Sequence, residues 1–199
     1  MKMALVLFVA MLAVPRVGAT TFEIDPVHSS VGFRVAHLVI SKVSGKFAKY
    51  SGTVVYEKGS PKTWSAHATI DTTSVDTGNE QRDKHLRSAD FLDVDKYPTI
   101  EFKSVRAENK GGKTKLIGDL TLHGVTKRIA LDLTVNGTVK DPFGDGQRLG
   151  AVGTAVINRK DYGLTWNKAL ETGGVMVGDE VELTLDIEGV AKKAEVSKP

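Results

Sequence analysis

The chain contains no cysteine, which excludes disulfides, thiolate metal sites, c-type haem attachment and a lipid-modified N-terminal cysteine. Its stability must come from a core of its own, not from covalent staples. Beyond residue 19, no apolar run approaches the ~20 residues that a membrane-spanning helix requires. Charge of one sign is also missing. The 27 Lys and Arg are interspersed with 24 Asp and Glu, without the basic stripe that marks a nucleic-acid partner. The five histidines, His28, His37, His67, His85 and His123, form neither an HExxH nor a His-x-His pair, so their spacing defines no metal site. No Gly-x-Ser-x-Gly elbow accompanies Asp83 and His85. Thr172-Gly173-Gly174 lacks the Lys-Ser/Thr ending of a phosphate-binding loop. Neither a cofactor nor a catalytic constellation is expected.

The N-terminus has the three-part layout of a secretory signal peptide. Lys2 gives a positive start, Ala4 to Val14 is an apolar run of 11 residues, and Val17-Gly18-Ala19 offers small residues for cleavage after Ala19. The run is too short for a retained bilayer span. The expected organisation is a cleaved signal over 1–19, one domain over 20–190 and a polar tail over 191–199, with the mature protein periplasmic or secreted. Without Lys2 and Arg16, 25 basic residues face 24 acidic ones. The pI near 9.0 therefore overstates any general pull on anionic partners.

The body of the chain alternates with period two, the signature of half-buried strands. Val31, Phe33, Val35 and His37 oppose Ser30, Gly32, Arg34 and Ala36. Trp64, Ala66, Ala68 and Ile70 oppose Thr63, Ser65, His67 and Thr69. The same pattern holds for Ile129, Leu131, Leu133 and Val135, and for Val181, Leu183, Leu185 and Ile187. Further strands are expected at 43–58, 99–109, 113–123 and 148–158. Lys110-Gly111-Gly112-Lys113 reads as a hairpin turn and His123-Gly124 as a second. Gly45, Gly52, Gly118 and Gly153, isolated within strand patterns, are expected to mark bulges or bends. One segment departs from alternation: Thr77-Gly78-Asn79-Glu80 has capping-box spacing. It opens a short helix with Glu80–Lys84 and Asp83–Arg87 pairs, an apolar face at Leu86 and Ala89, and an exit tucked in by Phe91 and Leu92. About eight antiparallel strands and one helix fit a closed all-β barrel, since closure removes exposed edges. A β-sandwich fits the alternation as well.

Five groups of residues resemble the YceI-like family in order along the mature chain. They are Ile24-Asp25-Pro26-Val27-His28 through Phe33 with His37-Leu38; Asp71 through Phe91; Lys96-Tyr97-Pro98-Thr99-Ile100; Gly118 through Thr126; and Ile157 through Asn167 followed by Glu171-Thr172-Gly173-Gly174 and Val177 through Val181. The resemblance implies an extended eight-stranded antiparallel, lipocalin-like barrel with one helical insertion. It also implies binding of a polyisoprenoid, an isoprenoid quinone or a similar long-chain lipid within the barrel. Candidate lining residues are Val31, Phe33, Val35, Trp64, Ile70, Phe102, Leu131 and Leu133. Candidate head-group donors are Arg34, Asn167 and the amides of Gly173 and Gly174. Two alternatives stay open: an enzyme acting on an isoprenoid or quinone in the same cavity, and a protein whose interior is a solid core. The oligomeric state is open too, a homodimer included.

Overall fold

The computed structural model describes residues 18–171 and 173–192. Nearly all of the expected signal segment, and the tail from residue 193, lie outside them. The first third of the sheet is built from broken strands: β1 (Thr20–Ile24) and β2 (Ser30–His37), β3 (Ser41–Phe47) and β4 (Tyr50–Tyr56), then β5 (Ser65–Asp71) and β6 (Val75–Asp76). Helix α1 (Glu80–Arg87) follows. Five uninterrupted strands complete the sheet: β7 (Thr99–Lys110), β8 (Lys113–Leu122), β9 (Val125–Lys140), β10 (Gln147–Asn158) and β11 (Val177–Ala191).

Lateral order runs β1-β4-β5-β7-β8-β9-β10-β11, and β11 returns to pair with β1. All of these pairs are antiparallel, with Phe22 opposite Ala191 and Ile24 opposite Gly189 at the closing seam. The ring excludes a sandwich. Strand β2 continues β1 along β11, with β3 and β6 beside it, so eight long strands form an up-and-down barrel. The breaks lie side by side and are stitched by side chains that satisfy the interrupted ladder. Ser29 Oγ donates to the Glu188 carbonyl at 3.1 Å and accepts from the Glu188 amide at 2.9 Å. Tyr50 Oη donates to the Ser29 carbonyl at 2.5 Å, and Ser74 Oγ accepts from the Lys49 amide at 3.0 Å.

The two ends of the barrel differ. One carries the 57–64 loop and the 110–113 and 141–146 turns. The other carries the 38–40 and 123–124 turns, α1 and the long 159–176 connection. At this second end the sheet splays, because β9 and β10 pair only between Thr154↔Asp132 and Gln147↔Lys140. Tyr162 and Leu164 from the long connection join Leu122, Leu131 and Ile157 in the buried cluster there.

Several local expectations are corrected. The helix cap is Asn79, whose side chain accepts from the Arg82 amide at 2.9 Å. Thr77 instead donates its hydroxyl to Asp83 Oδ1 at 2.6 Å. Asp83 is thereby committed to the turn before its own helix, and Arg87 reaches the Thr73 and Val75 carbonyls, both at 2.9 Å; neither forms the expected i, i+4 pair. Ala89 is exposed, leaving Leu86 as the helix's inward residue. Of the four interior glycines, Gly118 stands at a bulge, the register shift between Ser104 and Arg106 on the facing strand, whereas Gly45, Gly52 and Gly153 sit in unshifted register. The other shifts fall at Gly150/Ala151 and Val177/Val181. Gly118 serves close packing: a Cβ there would lie 2.5 Å from the Phe102 ring and 2.7 Å from the Lys103 carbonyl. Gly45 seats the Phe33 ring in the same way.

At the first end a charged cluster locks the strand break to the seam. Arg148 Nη1 donates to Asp25 Oδ2 at 2.9 Å and to Glu188 Oε1 at 2.5 Å, while its Nε reaches Asp141 Oδ1 at 3.0 Å. The hydrogen bond with the His28 ring, then that from Arg148, holds the Asp25 carboxyl down at about 2 from an ordinary 3.8. A depressed carboxylate pKa contributes stability that is complete above the unfolded value and is lost as pH falls through the folded one. The expected result is a fall in urea midpoint between about pH 4 and pH 2 that is shallower in Asp25→Asn than in the parent chain. Parallel slopes would show that Asp25 carries no linkage.

Candidate ligand cavity

The inward-facing side chains of the barrel do not fill it. They enclose a cavity of about 270 Å³ that extends from Ile24, Tyr56 and Trp64 near one end to Val35, Leu164 and Val177 near the other. Strand alternation explains the lining: residues i, i+2 and i+4 of each strand share one face. All eight expected residues face it, namely Val31, Phe33 and Val35 from β2, Trp64 and Ile70 at β5, Phe102 from β7, and Leu131 and Leu133 from β9. They are joined by side chains that the sequence reading did not single out as lining, among them Phe47, Leu116, Leu120, Leu149 and Ile157. The signal was available for Leu116 and Leu120, which alternate within a segment expected to be a strand. It was not for Phe47, whose strand was expected to run unbroken into β4.

The four expected polar donors lie elsewhere. Arg34 is on the outer face, since its neighbours Phe33 and Val35 point inward. Its side chain is about half exposed, with Nη1 4.0 Å from Glu182, which also pairs with Lys42. Asn167 spends its amide on the loop, donating to the Val177 carbonyl at 2.7 Å and accepting from the Val177 and Lys168 amides at 3.1 and 2.9 Å. The Gly173 amide donates to the Leu170 carbonyl at 3.0 Å. Gly173 and Gly174, with φ of 86° and 94°, shape that turn. None of the four lines the cavity.

The charged side chain that does line it is Arg159, in the turn after β10. It is 4 % exposed. Its Nε donates to the Gly178 carbonyl at 2.8 Å, and Nη1 donates to the Leu164 and Trp166 carbonyls at 2.5 and 2.9 Å. Nη2 lies 3.4 Å from both the Val177 carbonyl and Asp179 Oδ1. Burial pushes its pKa down. The guanidinium thus ties the 164–178 connection across one end of the barrel, and its donors are already engaged. Tyr162 nearby is 2 % exposed, and burial, then Asp161, pushes its phenol up to about 12. At the same end, His85 stands edge-on to Phe91 and Trp166, with ring centroids 5.0 and 4.8 Å away. Phe91 and Leu92 line the cavity below.

At the opposite end the apolar cavity adjoins a polar vestibule. Tyr56, Trp64, Leu133 and Val135 border both, and Asn109, Thr114 and Thr134 line the vestibule. The Trp64 indole is fixed by donating to the Glu57 carbonyl at 2.7 Å and by contact with the Tyr56 ring, 4.9 Å away. Among the described residues, Asp25, His28 and Glu188 bring potential metal-ligand atoms within 4.8 Å of one another. Arg148 donates to both of those carboxylates, so their charge is already met from within the protein.

Comparison with known proteins agrees with this architecture. UPF0312 protein SAS2572 of Staphylococcus aureus (strain MSSA476) is 40% identical over 171 residues, covering 85% of this chain and 96% of the relative. The crystal structure of BcnA from Burkholderia cenocepacia is similar with a TM-score of 0.70 at 25% identity, covering 83% of this chain and 98% of BcnA. The Campylobacter jejuni YCEI protein gives 0.68 at 31% identity, covering 79% and 90%. A polyisoprenoid binding domain from Saccharophagus degradans shares the fold, with a TM-score of 0.64 at 17% identity over 87% of this chain and 99% of that one. The model of the YceI-like domain matches residues 22–189, and the chain belongs to the YceI-like family.

Proposed function

We propose that the protein binds one long-chain amphiphile, a polyisoprenoid or an isoprenoid quinone, with its tail inside the barrel. The observation that carries this reading is the apolar cavity running most of the barrel's length. Each CH₂ taken from water into such a cavity is worth ~0.8 kcal/mol, so a long tail needs no polar recognition to stay. The polyisoprenoid binding domain with the same fold supports the choice of ligand class. Binding is favoured over conversion because Arg159 is the single charged side chain in the described lining, and its donors are held by backbone carbonyls. The N-terminal segment, with its signal-peptide layout, supports export to the periplasm or beyond, where the mature domain would serve lipid storage, transport or stress protection.

The test is native mass spectrometry of protein purified without detergent, before and after incubation with polyprenols or quinones. One bound lipid per chain is expected. A barrel that is empty on purification and takes up neither class would overturn the reading.

A further inference from the structure

We infer that the 38–40 turn docks the protein on the surface of a lipid bilayer, so that a ligand tail passes between membrane and barrel without crossing water. This rests on the reading of the apolar cavity as a lipid-tail site. The turn joins β2 to β3 and is closed by the Ile40 amide, which donates to the His37 carbonyl at 3.3 Å. Both central residues have left-handed backbone, Leu38 with φ of 53° and Val39 with φ of 64°. Asn-Gly is the pair that such a turn favours, and a β-branched residue there is strained. The 110–113 turn of the same chain meets the same demand with Gly111 and Gly112, at φ of 61° and 79°. Here the chain keeps Leu-Val-Ile instead, and leaves Val39 75 % and Ile40 85 % exposed. Neither residue lines the cavity, so neither folding nor the ligand site accounts for them. A local rule broken at an exposed apolar tip points to a contact outside the molecule.

The surroundings of the tip favour a bilayer as that contact. The Leu38 amide donates to the Met176 carbonyl at 2.9 Å, which fixes the turn beside the segment that carries half-exposed Val175. From the tip, β3 runs with one edge unpaired over Ser41–Gly45, because β6 meets it only at Lys46 and Phe47. Helix α1 follows β6, and Leu86, Phe91 and Leu92 line the cavity from that side, with Phe33 and Phe47 from the sheet. This part of the wall is thus closed by side chains and not by a strand ladder, and a tail can pass it without breaking backbone hydrogen bonds. Three side chains on a convex turn fall well short of the ~800 Å² per partner of a stable protein interface, but they suit shallow insertion among acyl chains. Lys42 and Lys46 on the open edge oppose strand pairing with a second copy. Nearby charges are of both signs, Lys42 and Lys168 with Glu171 and Glu182, so the attraction is apolar and independent of anionic lipid.

Two measurements on the mature protein test this. The chain has no cysteine, so Val39→Cys accepts a single environment-sensitive fluorophore; Val139→Cys, 64 % exposed at the opposite end, is the control. Phosphatidylcholine vesicles are expected to shift the emission of the first to the blue, at high salt as at low, and to leave the second unchanged. Uptake of dansyl-labelled geranylgeraniol is then followed in the parent and in Val39→Gly/Ile40→Asn, from the same vesicles and from a cyclodextrin complex. The variant is expected to load about tenfold more slowly from vesicles and at the parental rate from cyclodextrin. Its melting temperature is expected to equal or exceed the parent's, since glycine relieves the left-handed position. Parental loading from vesicles, or a label at position 39 that ignores vesicles and responds only to protein concentration, would overturn the inference; the latter would assign the tip to a second copy. A parent that loads from neither source would overturn the tail site itself, and the docking surface with it.

Discussion

Replacing Arg159 with methionine is expected to lower the free energy of unfolding by about 3–5 kcal/mol. Methionine has a comparable reach and keeps the site apolar and filled, so the loss does not come from a void. It comes from the Leu164, Trp166 and Gly178 carbonyls, each of which loses a donor at 2.5 to 2.9 Å. An unsatisfied buried acceptor costs ~1–3 kcal/mol, and a domain of this size has only ~5–15 kcal/mol in all. Arg159→Lys is expected to recover little, because one ammonium cannot reproduce a planar fork that meets carbonyls on both sides. The control is Lys160→Met. Lys160 pairs with Asp179 at 2.8 Å but is exposed, and its loss is expected to cost under ~1 kcal/mol. Urea denaturation at constant m-value reads all three. A loss below about 1 kcal/mol in Arg159→Met would mean that the carbonyls find other partners and that the guanidinium is no clamp.

The second large effect concerns the cavity. Ala151→Phe is expected to cut lipid uptake by at least about tenfold while leaving thermal stability equal or higher. Ala151 lies on β10 between Leu149 and Gly153, faces the cavity, and has Val135 and Ile187 opposite it on the neighbouring strands. In a filled core, the six added ring carbons would force neighbours off their rotamers at ~1–3 kcal/mol. In an open cavity the same ring buries itself and contributes ~1.5–3 kcal/mol. The sign of the change in melting temperature therefore distinguishes the two interiors, independently of any ligand. A destabilised variant with parental lipid content would contradict both halves of the expectation.

How much of this was legible in the sequence follows from the length scale of each feature. Alternation is local, so the inward faces of β2, β5, β9 and β11 could be read residue by residue, and the eight expected apolar residues all face the cavity. The barrel's closure is not local; it came from the family resemblance, since alternation alone allowed a sandwich. Arg34, Asn167 and the two glycines have the donor chemistry a head group needs, but donor chemistry does not say where the donors point. Alternation already placed Arg34 opposite Phe33 and Val35, on the outside. Arg159 was invisible for the opposite reason. A buried arginine in a turn has no periodicity, and its partners are backbone carbonyls supplied by segments up to nineteen residues away. The polar vestibule was missed because its two loops are separated by some fifty residues and meet only when the sheet curls.

The closing seam has a consequence for how the molecule comes into being. The pair Phe22↔Ala191 joins the first strand to the last, with Phe22 fully buried and a Gly189 Cβ excluded to 2.9 Å from it. The pairing of β2, which continues β1, with β11 belongs to the same seam; the remaining pairings in the ring link consecutive strands or their broken halves and can form as the chain emerges. The seam cannot, because it waits for nearly the whole domain. Until then a growing chain is a curled, open sheet with an apolar inner face and two unpaired edges, a form prone to associate with its neighbours. Contacts this distant in sequence also form slowly. Synthesis of this barrel therefore includes an obligatory period of vulnerability set by chain length, which ends in a single step when the last strand meets the first.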